Sequence, residues 1–291
     1  MPNSESTPFL IASSVTAHTE RRFSLEKTIQ MAHGRADGTQ LFINPEKFQL
    51  HEEDPYYLKD LLATTGLETN IVHLPGYLIP SDLIDSSFQA AFFASELLEP
   101  IPQVGKLCVI HHDPYAKVSN RTIVEATHKA FSALKDPDLS IGFEHYHPPV
   151  KTTQATLENQ VEKYIELLGM LQEQVPAFAV FDLGRFYTIN NANEPKVPLY
   201  DPNHKLLRAM CQSVKGQSVL IHAADCRDNT VKIGQPGNAL RIGTEEGILT
   251  PVYRKLQEFG RKFNIKWIGI VDEAEDSTQV SNRDEVLKLF D

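Results

Sequence analysis

LSIGFEHYH, residues Leu139–His147, is a short apolar run of Leu, Ile and Phe that ends directly on Glu144, His145 and His147. A carboxylate at the end of a buried strand needs a partner, because leaving it alone costs several kcal/mol or forces it to neutralise. A metal ion is one such partner, and an Arg or Lys ion pair is the other. One strand of this kind does not separate the two. The pattern recurs, however: AVFD ends on Asp182, VLIH on His222, and WIGIVDE on Asp272 and Glu273.

Working outward from this stretch, apolar runs of strand length begin at Phe9, Gln40, Asn70, Lys106, Leu139, Ala177, Ser218 and Lys266. Segments of helical period separate them. Near-continuous apolar strands alternating with amphipathic helices mark a parallel sheet covered by helices. Several helices carry start signals. Ser24 opens a helix that stops at Gly34, Asp54 and Pro55 open one that closes at Gly66, and Ser81, Ser119 and Thr153 open the next three. Asp201 with Pro202 opens another, and Glu245 or Glu246 begins the last, EEGILTPVYRKLQEFGRKFN, with Thr250 the alternative start because Pro251 is tolerated only within the first turns. Eight strand–helix units with no linker between them give an α/β fold: a single (β/α)8 TIM barrel spanning residues 1–291 as one domain. A doubly wound open sheet is the competing architecture. It usually places a Gly-rich phosphate turn after its first strand, and ASSVTAHTERRF has no glycine.

Composition bounds the function. The chain has 28 Lys and Arg against 38 Asp and Glu, a net charge of -10, which repels a phosphate backbone and argues against nucleic acid as a partner. The 3 cysteines, Cys108, Cys211 and Cys226, fall at no metal-knuckle or disulfide spacing and fit a reduced, cytoplasmic setting. The N-terminus lacks the features of a signal peptide and no apolar stretch is long enough for a membrane helix. A homo-oligomer is compatible with these numbers.

In a closed barrel the site lies at the carboxyl ends of the strands. Read in order, those ends carry His73, then His111, His112 and Asp113, then Glu144, Asp182 with Arg185, His222 with Asp225, Arg227 and Asp228, and finally Asp272, Glu273 and Glu275. Carboxylates and imidazoles gathered at one rim form an N/O donor set suited to Mg, Mn, Co or Zn. Adjacent strand residues face opposite ways, so one of His111 and His112, and one of Asp272 and Glu273, points to the axis.

With these pieces in place, the chain resembles the xylose isomerase-like TIM barrel superfamily, with its sugar isomerase and epimerase branch and its distant endonuclease IV branch. The matching residues are His73 of HLPGY, His111, Glu144 of GFEH, Asp182 of FDLG, His222 and Asp225 of HAAD, Ile242–Gly243, and the acid closing strand eight. The resemblance implies one divalent metal held by Glu144, Asp182, His222 and Glu273, with Asp272 replacing Glu273 if the register shifts. It departs in three places. Arg185 stands where many relatives have a His, and HYHPPVK supplies no second catalytic Glu. GQPGNALRIG lacks the Asp and His that a trinuclear zinc phosphodiesterase needs.

The expectation is a metal-dependent isomerase or epimerase acting on a sugar, sugar acid or sugar phosphate. The metal would polarise a carbonyl while Glu144 and Glu273 serve as ligands and proton carriers. His73, His111, Arg185, Asp225 and Arg227 are the expected substrate contacts, Arg185 gripping an acidic group. The alternatives are a non-catalytic small-molecule-binding barrel and a metal-dependent lyase or hydrolase.

Overall fold

The computed structural model describes residues 10–17, 38–43, 56, 59–60, 63, 69–74, 91–92, 94–100, 104–112, 118–145, 154–183, 203–223 and 249–272. Eight strands run through them: β1 Leu10–Ala17, β2 Gly38–Ile43, β3 Thr69–Leu74, β4 Lys106–His112, β5 Leu139–His145, β6 Ala177–Asp182, β7 Ser218–Ala223 and β8 Lys266–Asp272. Each pairs in parallel with the next, and β1 pairs with β8, so the sheet closes into a barrel. The order of strands around the ring is their order in sequence, as the alternating pattern requires.

Four helices are described in full: α1 Asn120–Leu134, α2 Gln154–Gln172, α3 Lys205–Ser213 and α4 Thr250–Phe263. Ser119 caps α1 as its position predicts, its Oγ accepting the Thr122 N–H at 3.2 Å. Pro251 sits in the first turn of α4, where its missing N–H costs nothing. The start of α3 differs from expectation. His204, at φ 53°, is in the left-handed region, which breaks the helical run, so the helix begins at Lys205 rather than at Asp201–Pro202. Asp201 and Pro202 lie outside the described residues, as does the segment 24–34. Residues 56, 59, 60, 63, 91, 92 and 94–97 are helical, in keeping with the two segments expected there.

Strand parity sorts the apolar side chains into two layers. Ile71, Leu107, Val109, Phe178, Val180, Leu220, Ile268 and Val271 form one cluster, the filling of the barrel. Residues of the opposite parity, among them Val72, Cys108, Ile110, Phe143, Phe181 and Ile221, belong to a second cluster with the helix residues Ile123, Phe131, Tyr164, Leu207 and Tyr253. Each fully buried Leu, Ile or Phe contributes about 1.5–3 kcal/mol, and these layers hold the ring closed from both sides.

Gly142 is required inside the barrel. A Cβ at this position would lie 2.4 Å from Phe178 Cε2 and 2.6 Å from Val180 Cγ2. A glycine at the middle of LSIGFEH therefore makes room for Phe178 below the layer that carries Glu144. In β8 the register shifts: Trp267 pairs with Val219, but Gly269 pairs with Leu220. This bulge inserts Ile268 and puts both Ile268 and Val271 into the inner cluster. Among the described residues no helix is long and apolar enough to cross a membrane.

Candidate metal centre

Following the inner parity one step past the apolar filling gives the polar layer. Ile71 leads to His73, Val109 to His111, Gly142 to Glu144, Val180 to Asp182 and Leu220 to His222. Glu144 and His222 are completely buried, His73 and Asp182 are 1% exposed, and His111 is 5% exposed. The pairing of neighbouring strands sets their levels, with His111 opposite Glu144 and Asp182 opposite His222.

Three imidazoles converge on one carboxylate oxygen. His73 Nε2 is 2.9 Å from Glu144 Oε2, His111 Nε2 is 3.0 Å from it, and His222 Nδ1 is 3.2 Å from it. The rings of His73 and His111 meet edge to face at 4.8 Å, and those of His73 and His222 lie 5.3 Å apart. His222 also uses its other nitrogen, with Nε2 2.9 Å from Gln40 Oε1 of β2. His73 hydrogen-bonds the buried carboxylate, which offsets part of the cost of burying its charge, and the other two ring nitrogens lie within 3.2 Å of the same oxygen.

Among the described residues, His73, Glu144 and His222 have ligand atoms that all lie within 4.8 Å of one another. Donors around a divalent ion at about 2.0–2.2 Å stand roughly 3–3.5 Å apart. Two of the contacts here, at 2.9 and 3.2 Å, are of that size. Two imidazoles and a carboxylate form a borderline donor set that suits Zn, Mn, Co or Fe. The residues present therefore fit a divalent metal.

Asp182 stands beside this group on β6. Its peptide N–H donates to His145 Nε2 at 3.1 Å, so the outward-facing His145 ties the end of β5 to the end of β6. Below this link, Tyr164 of α2 joins the same two strands. Its hydroxyl accepts the Val180 N–H at 3.1 Å and lies 2.7 Å from the Phe143 carbonyl and 3.0 Å from the Val180 carbonyl, to which it donates. Burial, with the Glu144 carboxylate adding to it, pushes the Tyr164 phenol well above its ordinary value, so it remains a neutral donor.

Of the residues singled out in the sequence, His73, His111, Glu144 and His222 come together, and Asp182 borders them. His73 and His111, read from the sequence as substrate contacts, lie against the Glu144 carboxylate itself. Asp272 closes β8 in register with Ala223. Glu273, Arg185, Asp225 and Arg227 lie outside the described residues. Gln40 was missed as a site residue, although a lone amide inside the apolar run GTQLFI signals a buried polar role. Neither Cys108 nor Cys211 belongs to the site. Both are buried, and burial pushes the Cys211 thiol up to about 12.

No protein-family model matches the sequence, and no curated protein sequence matches it. The fold is shared with solved structures. A xylose isomerase-like TIM barrel/4-hydroxyphenylpyruvate dioxygenase fusion protein matches 97% of this chain with a TM-score of 0.59 at 10% identity, and the chain spans 41% of that protein's length. The IOLI protein with a bound zinc atom gives a TM-score of 0.55 at 12% identity, covering 97% of this chain and 98% of that one. D-allulose 3-epimerase from Methylomonas sp. gives 0.55 at 12% identity, covering 98% and 91%. This chain shares the TIM-barrel fold of these structures.

Proposed function

We propose that this barrel is a divalent-metal-dependent isomerase or epimerase acting on a carbohydrate-like small molecule in the cytoplasm. The observation that carries the reading is the buried Glu144 carboxylate with His73, His111 and His222 gathered on one of its oxygens. The sugar epimerase and the zinc-bound protein among the fold neighbours support it, although a shared barrel does not fix chemistry.

Glu144 and His222 would hold the metal, with His73 the nearest described third donor and Asp182 and Glu273 completing the set. Glu273 is preferred to Asp272 because it has the sequence parity of Val271, which packs in the inner cluster opposite His222. When bound, the ion supplies polarisation of a carbonyl and its neighbouring hydroxyl. Glu144 and Glu273 then carry the proton between adjacent carbons. His111, 5% exposed against 1% or less for His73 and His222, would touch a substrate oxygen. Arg185 would grip an acidic end of the substrate, and Asp225 and Arg227 its remaining hydroxyls.

The test is solvent deuterium incorporation into a panel of aldoses, ketoses and sugar acids, run with protein loaded with Mn, Co, Mg or Zn and assayed by elemental analysis. Exchange at a carbon next to a carbonyl, dependent on the metal, is expected. Protein that takes up no metal and exchanges no substrate proton overturns the reading.

A second reading is a metal-dependent lyase or hydrolase. Two imidazoles and a carboxylate, His73, His222 and Glu144, favour it, because that donor set also serves hydrolytic one-metal sites. Metal-dependent cleavage of an ester, amide or phosphodiester without proton exchange into sugars would select this reading over the first.

A further inference from the structure

We propose that Gln40 is a positioning residue: its Oε1 accepts the Nε2–H of His222 and so holds that ring in the tautomer whose Nδ1 lone pair faces Glu144. The two groups are 2.9 Å apart and separated by 182 residues in sequence. Both are fully buried. The opposite nitrogen of the same ring, Nδ1, lies 3.2 Å from Glu144 Oε2.

A neutral imidazole has one N–H and one lone pair, and the hydrogen bond at one nitrogen decides what the other offers. Histidines that bind metals generally donate their other N–H to an oxygen acceptor, which fixes both tautomer and ring orientation. Gln40 Oε1 is in position to be that acceptor. A structural explanation of the amide is weaker. Buried amides are normally satisfied at both ends, yet Gln40 Nε2 has no hydrogen-bond partner among the described residues. An apolar side chain would fill the same place in GTQLFI without a buried donor to satisfy. The oxygen is therefore the end that accounts for the residue, and Nε2 is left as a donor for an oxygen of a bound ligand. This inference deepens the metal-centre reading and its metal-binding arm rests on it.

The test uses the full chain labelled with ¹⁵N-histidine, at roughly pH 8, where an unperturbed imidazole is neutral. Long-range ¹H–¹⁵N correlation reads the protonated nitrogen of His222, assigned by the signals lost in His222→Gln. The wild type is expected to show a protonated Nε2. Gln40→Leu should populate the Nδ1–H form, while Gln40→Glu, which keeps an acceptor, should retain Nε2–H. In parallel, Co²⁺ titration followed by absorbance should show an affinity about 10- to 100-fold weaker in Gln40→Leu, with Gln40→Glu at or above wild type. An unprotonated Nε2 in the wild type overturns the proposal, and so does an unchanged tautomer in a folded Gln40→Leu. If the tautomers behave as expected but the wild type takes up no Co²⁺, the metal-centre reading fails and the assignment of Gln40 stands. The wild-type measurement decides the matter even if Gln40→Leu does not fold.

Discussion

His73 Nε2 and Glu144 Oε2 are hydrogen-bonded at 2.9 Å, both side chains fully buried, across 71 residues of sequence. The contact bridges β3 and β5, which are not neighbours in the sheet, so it spans the mouth of the barrel over β4. Replacing Glu144 by Gln keeps the shape but removes the charge and one acceptor oxygen. Divalent-ion affinity is expected to fall by more than the roughly 10- to 100-fold that loss of an outer contact costs. Calorimetric titration with Mn²⁺ or Co²⁺ checks this, and unchanged affinity removes Glu144 from the donor set.

Metal removal should lower stability. A ligand that binds only the folded state stabilises it by about 2.7 kcal/mol when present at 100 times its Kd. Dialysis against a chelator is expected to lower Tm by several degrees, and adding back Zn²⁺ or Mn²⁺ at that excess should restore it. In Glu144→Gln the same additions should leave Tm where it was.

Gly142→Ala introduces a Cβ 2.4 Å from the Phe178 ring in the barrel filling. Overpacking of this kind costs about 1–3 kcal/mol. Urea unfolding should show the loss, and the double substitution Gly142→Ala with Phe178→Leu should recover part of it. Full additivity of the two single effects would mean that the clash with Phe178 is relieved elsewhere in the barrel.

The amino-terminal face of the barrel offers a test of pH dependence. Partial burial works against the Asp136 charge, but the Ser95 hydroxyl at 2.7 Å, the Lys106 ammonium at 2.9 Å and the Asp138 N–H at 3.0 Å outweigh it and hold the carboxyl below its ordinary value. A depressed folded-state value means that the stabilisation is present above the unfolded-state pKa and is lost as pH falls through the folded-state pKa. Asp136→Asn is therefore expected to be about 1–3 kcal/mol less stable than wild type near neutral pH. The gap should close as pH falls from neutrality to below the ordinary Asp value, about 3.9, where the wild-type carboxyl protonates. Urea unfolding at both ends of that range checks it, and a gap independent of pH would assign the effect to packing.

The strands were legible because burial on both faces leaves an unbroken apolar run. The runs beginning at Lys106, Leu139, Ala177, Ser218 and Lys266 start where β4 to β8 start. The runs marked at Gln40 and Asn70 begin two residues and one residue inside β2 and β3, where Gly38 and Thr69 belong to the strands without being apolar, and Phe9 lies outside the described residues. Helix starts followed the chemistry of the cap: Ser119 succeeded because its hydroxyl does bond to the backbone, and Asp201 misled because the positive φ of His204 is invisible in a sequence. At the site, strand order placed Glu144 and His222 correctly at one rim. It did not reveal that His73 and His111 close on the carboxylate, since contacts across the barrel depend on tilt and stagger, which no local pattern encodes. Gln40 escaped for the same reason, its partner lying at the far end of the chain.

The donors that meet at Glu144 Oε2, with the amide behind His222, come from β2, β3, β4, β5 and β7. No contiguous half of the polypeptide owns a working set: residues 1–145 carry Gln40, His73, His111 and Glu144 but not His222. Ion capture would thus be an all-or-none property of the completed ring. It would act as an internal seal that rewards only chains whose first and last thirds have found each other, and a loop nicked without loss of either piece should leave that seal intact.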